Sequence, residues 1–332
     1  MKITHITRKM NMQEHPGGVE TFILELAQKQ IENGHQVEII CRNQFQDTQE
    51  DKINGIKIKR AETIGKPGLG TLSSLYSMRK LIQEQETDIF HIHDWSPYLN
   101  YLFAGKPRRH ILTVHDLHNE TIQRKIQNFA ITNSDKVVMV SEEMNQRTQK
   151  QNYEVIPNGV NAEKFENTED TENYALFVGD LNDRKGFKEL ITNWPKDVPQ
   201  LKVVGTGKYK CLENEYKKHQ FLGRVPEERL KQLYGKAKYV VLPSRREGFC
   251  LVWLEALASG TPVLYTNTGI GPKIPDYCGI MINSDYDEKE LQEGIERLLE
   301  DKFDNQKLRR YVEQEFSWQK VYEQYLQLYL QK

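Results

Sequence analysis

Tyr239-Val240-Val241-Leu242-Pro243-Ser244-Arg245-Arg246-Glu247-Gly248-Phe249-Cys250-Leu251-Val252-Trp253-Leu254-Glu255-Ala256-Leu257-Ala258-Ser259-Gly260-Thr261-Pro262-Val263-Leu264-Tyr265 is the stretch on which the fold turns. A bare apolar run leads through a polar loop into an apolar helical pattern. Ser259-Gly260 stops that pattern, and a second bare apolar run follows. Runs without polar alternation suit strands covered on both faces, so the segment reads as a parallel βαβ unit.

The same alternation fills the 332-residue chain. Strands are expected at Ile3–Thr7, Val37–Cys41, Ile89–His93, Ile111–His115 and Val137–Val140. After a break they resume at Ala175–Val178, Leu201–Val204, Tyr239–Leu242, Pro262–Tyr265 and Gly279–Ile282. The clearest helix between them gathers Val19, Phe22, Ile23, Leu26, Ala27 and Ile31 on one face, and Asn33-Gly34 stops it. Two such series make an α/β chain of two doubly wound domains. Their junction is Val155-Ile156-Pro157-Asn158-Gly159-Val160, where Pro and Asn-Gly supply turn chemistry ahead of polar Asn161–Asn173. The expected domains are 1–157 and 158–314. A closing helix over 315–332 carries Val321, Leu326 and Tyr329 and is expected to pack back toward the first domain.

A net charge of −1 gives no long-range pull toward nucleic acid. Cys41, Cys211, Cys250 and Cys278 lack metal-knuckle spacing, which points to reduced thiols in the cytosol. The N-terminus has no apolar signal core, and no apolar stretch reaches membrane-span length. Peripheral membrane association stays open. Lys106-Pro107-Arg108-Arg109 and Gly65–Ile82 suit an anionic lipid or polymer, and an ordinary solvated surface equally well.

Chemistry can sit in four places. Pro16-Gly17-Gly18-Val19-Glu20 lies between the first strand and first helix, where close backbone approach and free helix N–H groups favour a phosphate. Gly179-Asp180-Leu181-Asn182-Asp183-Arg184-Lys185-Gly186 follows a strand, and its Arg184 and Lys185 are natural diphosphate counter-charges. The opening segment carries Glu247 on the strand-to-helix loop and Glu255 within a largely buried helix. A carboxylate there needs polar partners, from ligand hydroxyls or a neighbouring cation. Finally, His91-Ile92-His93 and Thr113-Val114-His115-Asp116 end two strands. His-x-His puts both rings on one face, so a metal site competes with cleft lining or plain packing. Asp285-Tyr286-Asp287 reads better as a helix cap than as a metal–nucleotide motif.

In order and spacing, these motifs resemble family-4 glycosyltransferases of the GT-B fold over nearly the whole chain. Ile156–Val160, Val204-Gly205-Thr206-Gly207, Phe221-Leu222-Gly223-Arg224-Val225 and Gly260-Thr261-Pro262-Val263 add to the match, and Glu247–Glu255 is its most specific part. The resemblance implies two Rossmann-like domains facing each other across a cleft, with acceptor binding in the first and nucleotide-sugar binding in the second. It also implies retaining transfer of a hexosyl or N-acetylhexosaminyl group from a nucleoside diphosphate sugar, UDP favoured, without a required metal or cofactor. A hydroxyl of a cell-envelope glycan, lipid or similar acceptor would receive the sugar. Carried over by residue, Glu247 holds donor-sugar hydroxyls, Glu255 the ribose and Lys185 the diphosphate, with Arg184 beside it. Gly17 and Gly18 approach the donor phosphate, and His115 stands near the reacting sugar. Gly248 and the N–H groups of Phe249, Cys250 and Leu251 face the donor, and Leu222 to Val225 line the base. Two departures are Asp180, where the family has arginine, and Cys250, where glycine is common. A sugar-nucleotide 2-epimerase and a non-catalytic partner subunit share this fold and remain alternatives.

Overall fold

The computed structural model describes residues 1–10, 17–43, 50–62, 69–105, 109–118, 121–144, 153–166 and 170–331. Pro16, 65–68, 106–108 and 167–169 of the segments singled out above lie outside the described residues. The chain forms two compact units, Met1–Pro157 with Trp318–Lys332, and Asn158–Ser317.

The first unit holds strands β1 (Lys2–Ile6), β2 (Gln36–Arg42), β3 (Glu50–Ile53), β4 (Ile56–Ala61), β5 (Ile89–His93), β6 (His110–Val114), β7 (Lys136–Met139) and β8 (Glu154–Val155). They make one sheet in the order β3-β4-β2-β1-β5-β6-β7-β8, parallel except for the β3/β4 pair. Helices α1 (Gly18–Glu32), α2 (Leu69–Gln83), α3 (Trp95–Phe103) and α4 (Thr121–Asn133) alternate with them. Helix α1 ends where its sequence says, at Asn33 followed by Gly34 with φ +79°.

The second unit holds β9 (Tyr174–Val178), β10 (Gln200–Val204), β11 (Gln220–Gly223), β12 (Tyr239–Val241), β13 (Val263–Thr266) and β14 (Gly279–Ile282). Its helices are α5 (Phe187–Thr192), α6 (Glu227–Lys236), α7 (Leu251–Ala258), α8 (Glu288–Glu300) and α9 (Asn305–Glu315). All neighbours in its sheet are parallel, in the order β11-β10-β9-β12-β13-β14. Strand order therefore reverses between β9 and β12, and in the first sheet between β1 and β5. Open α/β sheets bind ligands outside the carboxyl ends of the strands at such points.

Helix α10 (Trp318–Leu330) belongs to the first unit. Trp318, Val321, Tyr322, Tyr325, Leu328 and Tyr329 join the core made by Phe22, Ile23 and Leu26 of α1. No described helix is long and apolar enough to cross a membrane.

Candidate functional site

The loops leaving β9 and β12 bring the charged residues of the second unit together. After β9, Asn182 caps a short 3-10 turn by accepting the Lys185 N–H at 3.1 Å. Gly186 then reverses the chain at φ +65°. A Cβ on Gly186 would run into the Tyr286 hydroxyl and the Pro243 carbonyl oxygen. Gly186→Ala should therefore cost more than about 2 kcal/mol of second-unit stability and displace Lys185, a loss that urea unfolding would register.

Lys185 Nζ donates to Glu247 Oε1 at 2.5 Å, and Ser244 Oγ donates to the same oxygen at 2.6 Å. Both charged side chains are nearly out of water, 12% and 5% exposed. Burial pulls the Lys185 ammonium down, but the Glu247 carboxylate more than offsets it and holds the pKa above the usual value. Burial pushes the Glu247 carboxyl up, and Lys185 with Ser244 overturns that, so it stays ionised and below the usual range. Arg184, half-buried, adds positive charge toward both. Glu247 Oε2 has no partner among the described residues.

The turn after Glu247 places Cys250 at φ +78° as the residue before α7. That left-handed backbone is why glycine suits the position; the thiol is buried, and burial pushes its pKa well up. Helix α7 starts at Leu251, and Trp253 Nε1 donates to the Leu242 carbonyl at 3.2 Å, tying the helix to the end of β12. Phe249 O accepts the Ile270 N–H at 2.9 Å. Glu255 meets the Tyr234 hydroxyl at 2.8 Å rather than a cation. Burial raises its pKa, with Tyr234 opposing, and Oε1 has no partner among the described residues.

Gly179, Gly205 and Gly223 follow or end β9, β10 and β11, all with positive φ. A Cβ on Gly205 would strike the Gly179 carbonyl, so these strand ends pack backbone against backbone. Val225 is half-buried between β11 and α6. Asp180 is exposed, and Asp287 caps α8 by accepting the Glu290 N–H at 2.8 Å.

The remaining site residues lie on the first unit. Gly17 and Gly18 are exposed where α1 begins. His115 is 7% exposed just beyond β6, and its Nε2 meets His93 Nδ1 at 3.1 Å. His93 Nε2 meets His5 Nδ1 at 2.9 Å, and His5 Nε2 meets Gln30 Oε1 at 2.8 Å. Because an amide oxygen only accepts, the neutral rings carry their protons on Nε2 all the way back to His115. Gln30 Nε2 donates onward to Tyr329 OH at 2.9 Å. That hydroxyl meets His91 Nδ1 at 2.8 Å, and His91 Nε2 meets Thr113 Oγ1 at 2.7 Å. His5, His91 and His93 are close enough to share a metal ion, but every one of their ring nitrogens is already engaged in this chain. The rings of His-x-His thus stand in a buried hydrogen-bond network.

Two Rossmann-like units, one bearing a buried cation–carboxylate pair at its switch point, define the GT-B class. The family described as "Glycosyltransferase Family 4" matches residues 16–164, and "Glycosyl transferases group 1" matches 160–315. An uncharacterized glycosyltransferase of Methanocaldococcus jannaschii is 32% identical over 281 residues, 76% of this chain and 78% of its own length. Sucrose-phosphate synthase from Thermosynechococcus elongatus superposes with a TM-score of 0.86 at 21% identity, covering 99% of this chain and 98% of its own. The Anabaena protein Alr3699/HepE in complex with UDP gives 0.77 at 17% identity, covering 99% of both chains. At those identities the two structures speak for the fold. The chain belongs to the family-4-type glycosyltransferases of the GT-B fold.

Proposed function

We propose that this glycosyltransferase takes a hexosyl or N-acetylhexosaminyl group from a nucleoside diphosphate sugar, UDP-linked by preference. The group passes, with retention, to a hydroxyl of a cell-envelope glycan or lipid acceptor. The observation that carries this reading is the Lys185–Glu247 pair, which joins the loops on either side of the second sheet's switch point. A diphosphate arriving there would take the Lys185 ammonium, with Arg184 beside it, as counter-charge. Glu247 would turn its free oxygen to a sugar hydroxyl. Charge grows on the leaving diphosphate as the glycosidic bond breaks, and fixed cations with the N-terminus of α7 would stabilise it without a carboxylic acid catalyst. UDP binding by the Anabaena relative is in keeping with this donor.

The test is a thermal-shift screen of nucleoside diphosphates, since a ligand selective for the folded state raises its stability. The anomeric configuration of the transferred sugar follows by NMR. Failure of every nucleoside diphosphate to shift the transition would sink the reading. Free epimerised sugar formed without acceptor would replace transfer by epimerisation.

Glu255 supplies a separate prediction. If its unpartnered oxygen holds ribose hydroxyls, Glu255→Ala should weaken UDP binding by about 10- to 100-fold, the loss of hydrogen bonds to a charged group. Calorimetry with UDP measures it, and unchanged affinity removes the ribose role.

A further inference from the structure

Arg42 ends β2 and is 7% exposed. Its Nη2 donates to Ser96 Oγ in the first turn of α3 at 2.8 Å, and its buried Nε has no partner. Among the described residues it meets no carboxylate. Burial lowers its pKa, and the next cause is another cation, Arg8, whose carbonyl accepts the Arg42 N–H at 3.3 Å. Arg8 is exposed and makes no salt bridge among the described residues, although its charge draws against the burial that raises the Asp94 pKa.

A buried guanidinium with no counter-charge is costly, and this one sits where more positive potential converges. The N-terminus of α3 adds its partial positive charge on the side where Arg42 reaches Ser96. Asp94, the residue before α3, does not neutralise Arg42. It has φ +68°, and its carboxylate is turned to the His115 N–H at 3.0 Å. The place is not arbitrary either. Arg8 follows β1 and Ser96 follows β5, the strands flanking the first sheet's switch point.

We propose that Arg42, Arg8, Ser96 and the N-terminus of α3 form an oxyanion subsite that takes a phosphate group. Its role as a subsite for the acceptor's phosphate rests on the transferase reading; phosphate binding itself does not. A guanidinium fork, a hydroxyl and helix N–H groups are the donors that tetrahedral phosphate oxygens require.

Calorimetry on the full chain tests it, with inorganic phosphate as titrant and UDP titrated separately. The wild type should bind phosphate, and Arg42→Gln should bind it at least about 10-fold more weakly, as loss of a charge-assisted contact demands. UDP affinity should be equal in the two proteins. Arg42→Met removes the uncompensated charge, so without phosphate it should melt no lower than the wild type, and phosphate should raise the melting temperature of the wild type alone. Equal phosphate affinity in Arg42→Gln, or a large drop in melting temperature of Arg42→Met without ligand, overturns the subsite. No UDP binding by either protein, with the phosphate difference intact, would sink the donor reading and leave the subsite standing. Competition by glucose 6-phosphate assigns the phosphate to a soluble acceptor. Competition only by vesicles containing phosphatidic acid assigns it to a lipid.

Discussion

Lys185→Ala should lower sugar transfer by about 100- to 1000-fold, the usual loss when one fixed donor to a developing anion is removed. The same change should cost the second unit about 3–5 kcal/mol at neutral pH, because Glu247 is left as a buried, uncompensated charge. Simple loss of a donor contact would not predict the second effect. In the wild type the Glu247 pKa is lowered and the Lys185 pKa raised. The pair's contribution is therefore present from above the unfolded carboxyl value of 4.5 and fades only as pH rises past the unfolded lysine value of 10.5. Without Lys185, the largest influence left on Glu247 is burial, which raises its pKa against the weaker pull of Ser244 and Arg184. A group so raised is least costly below its unfolded value, so the variant should recover stability on acidification while the wild type does not. Lys185→Met combined with Glu247→Gln separates the two roles. It removes both charges, so stability should return while transfer stays low. Urea unfolding of the three proteins at two pH values, with initial transfer rates, measures all of this. If transfer returns along with stability, Lys185 is a strut and the diphosphate assignment is lost.

Ten strands are legible, most of them as bare apolar runs because both sheet faces are covered, and all ten form. The others fail that criterion for physical reasons. β3 is an edge strand of mostly exposed, charged residues, and β4 alternates Ile56 and Ile58 with half-buried Lys57 and Lys59. Their one local signal was Asn54-Gly55, which takes φ +49° and +84° in a hairpin turn. β11 ends in Gly223 and is only half covered, so it does not stand out as a strand; Leu222 to Val225 entered only through the resemblance, as the lining of the base. Glu247 and Lys185 were legible singly from their loops. Their contact was not, because it joins residues 62 apart through the order of β9 and β12. The histidine chain was hidden more deeply. His-x-His marked β5, but its centre is His5, opposite His91 in the β1/β5 register, and its direction is set by Gln30 of α1.

That chain makes the first unit labile to acid. Burial lowers His5 to about 4 and His115 to about 3, and holds His91 and His93 well below the usual 6.5. Each ring stays neutral while folded but takes up a proton when unfolded below pH 6.5. Each therefore removes about 1.4 kcal/mol of stability per pH unit from there down to its folded value. Asp94 works against them. Burial raises its pKa to about 7, so it holds a proton in the folded state that the unfolded chain releases above 3.8, and its contribution grows as pH falls through 7. Four rings against one carboxyl leave about three protons, or about 4 kcal/mol per pH unit, between pH 6 and 5. Two such units remove about 8 kcal/mol, more than the whole stability of a domain in the lower part of the usual range of roughly 5–15 kcal/mol. Hydrogen exchange of β1 and β5 core amides follows this unit apart from the other, and protection should collapse between pH 6 and 4. His93→Leu should lower stability near neutral pH by stranding His5 Nδ1 and His115 Nε2, yet flatten the acid slope by about one proton. A structural role alone would move the level and not the slope, and a wild-type profile flat from pH 7 to 5 would mean these rings are not held neutral by burial.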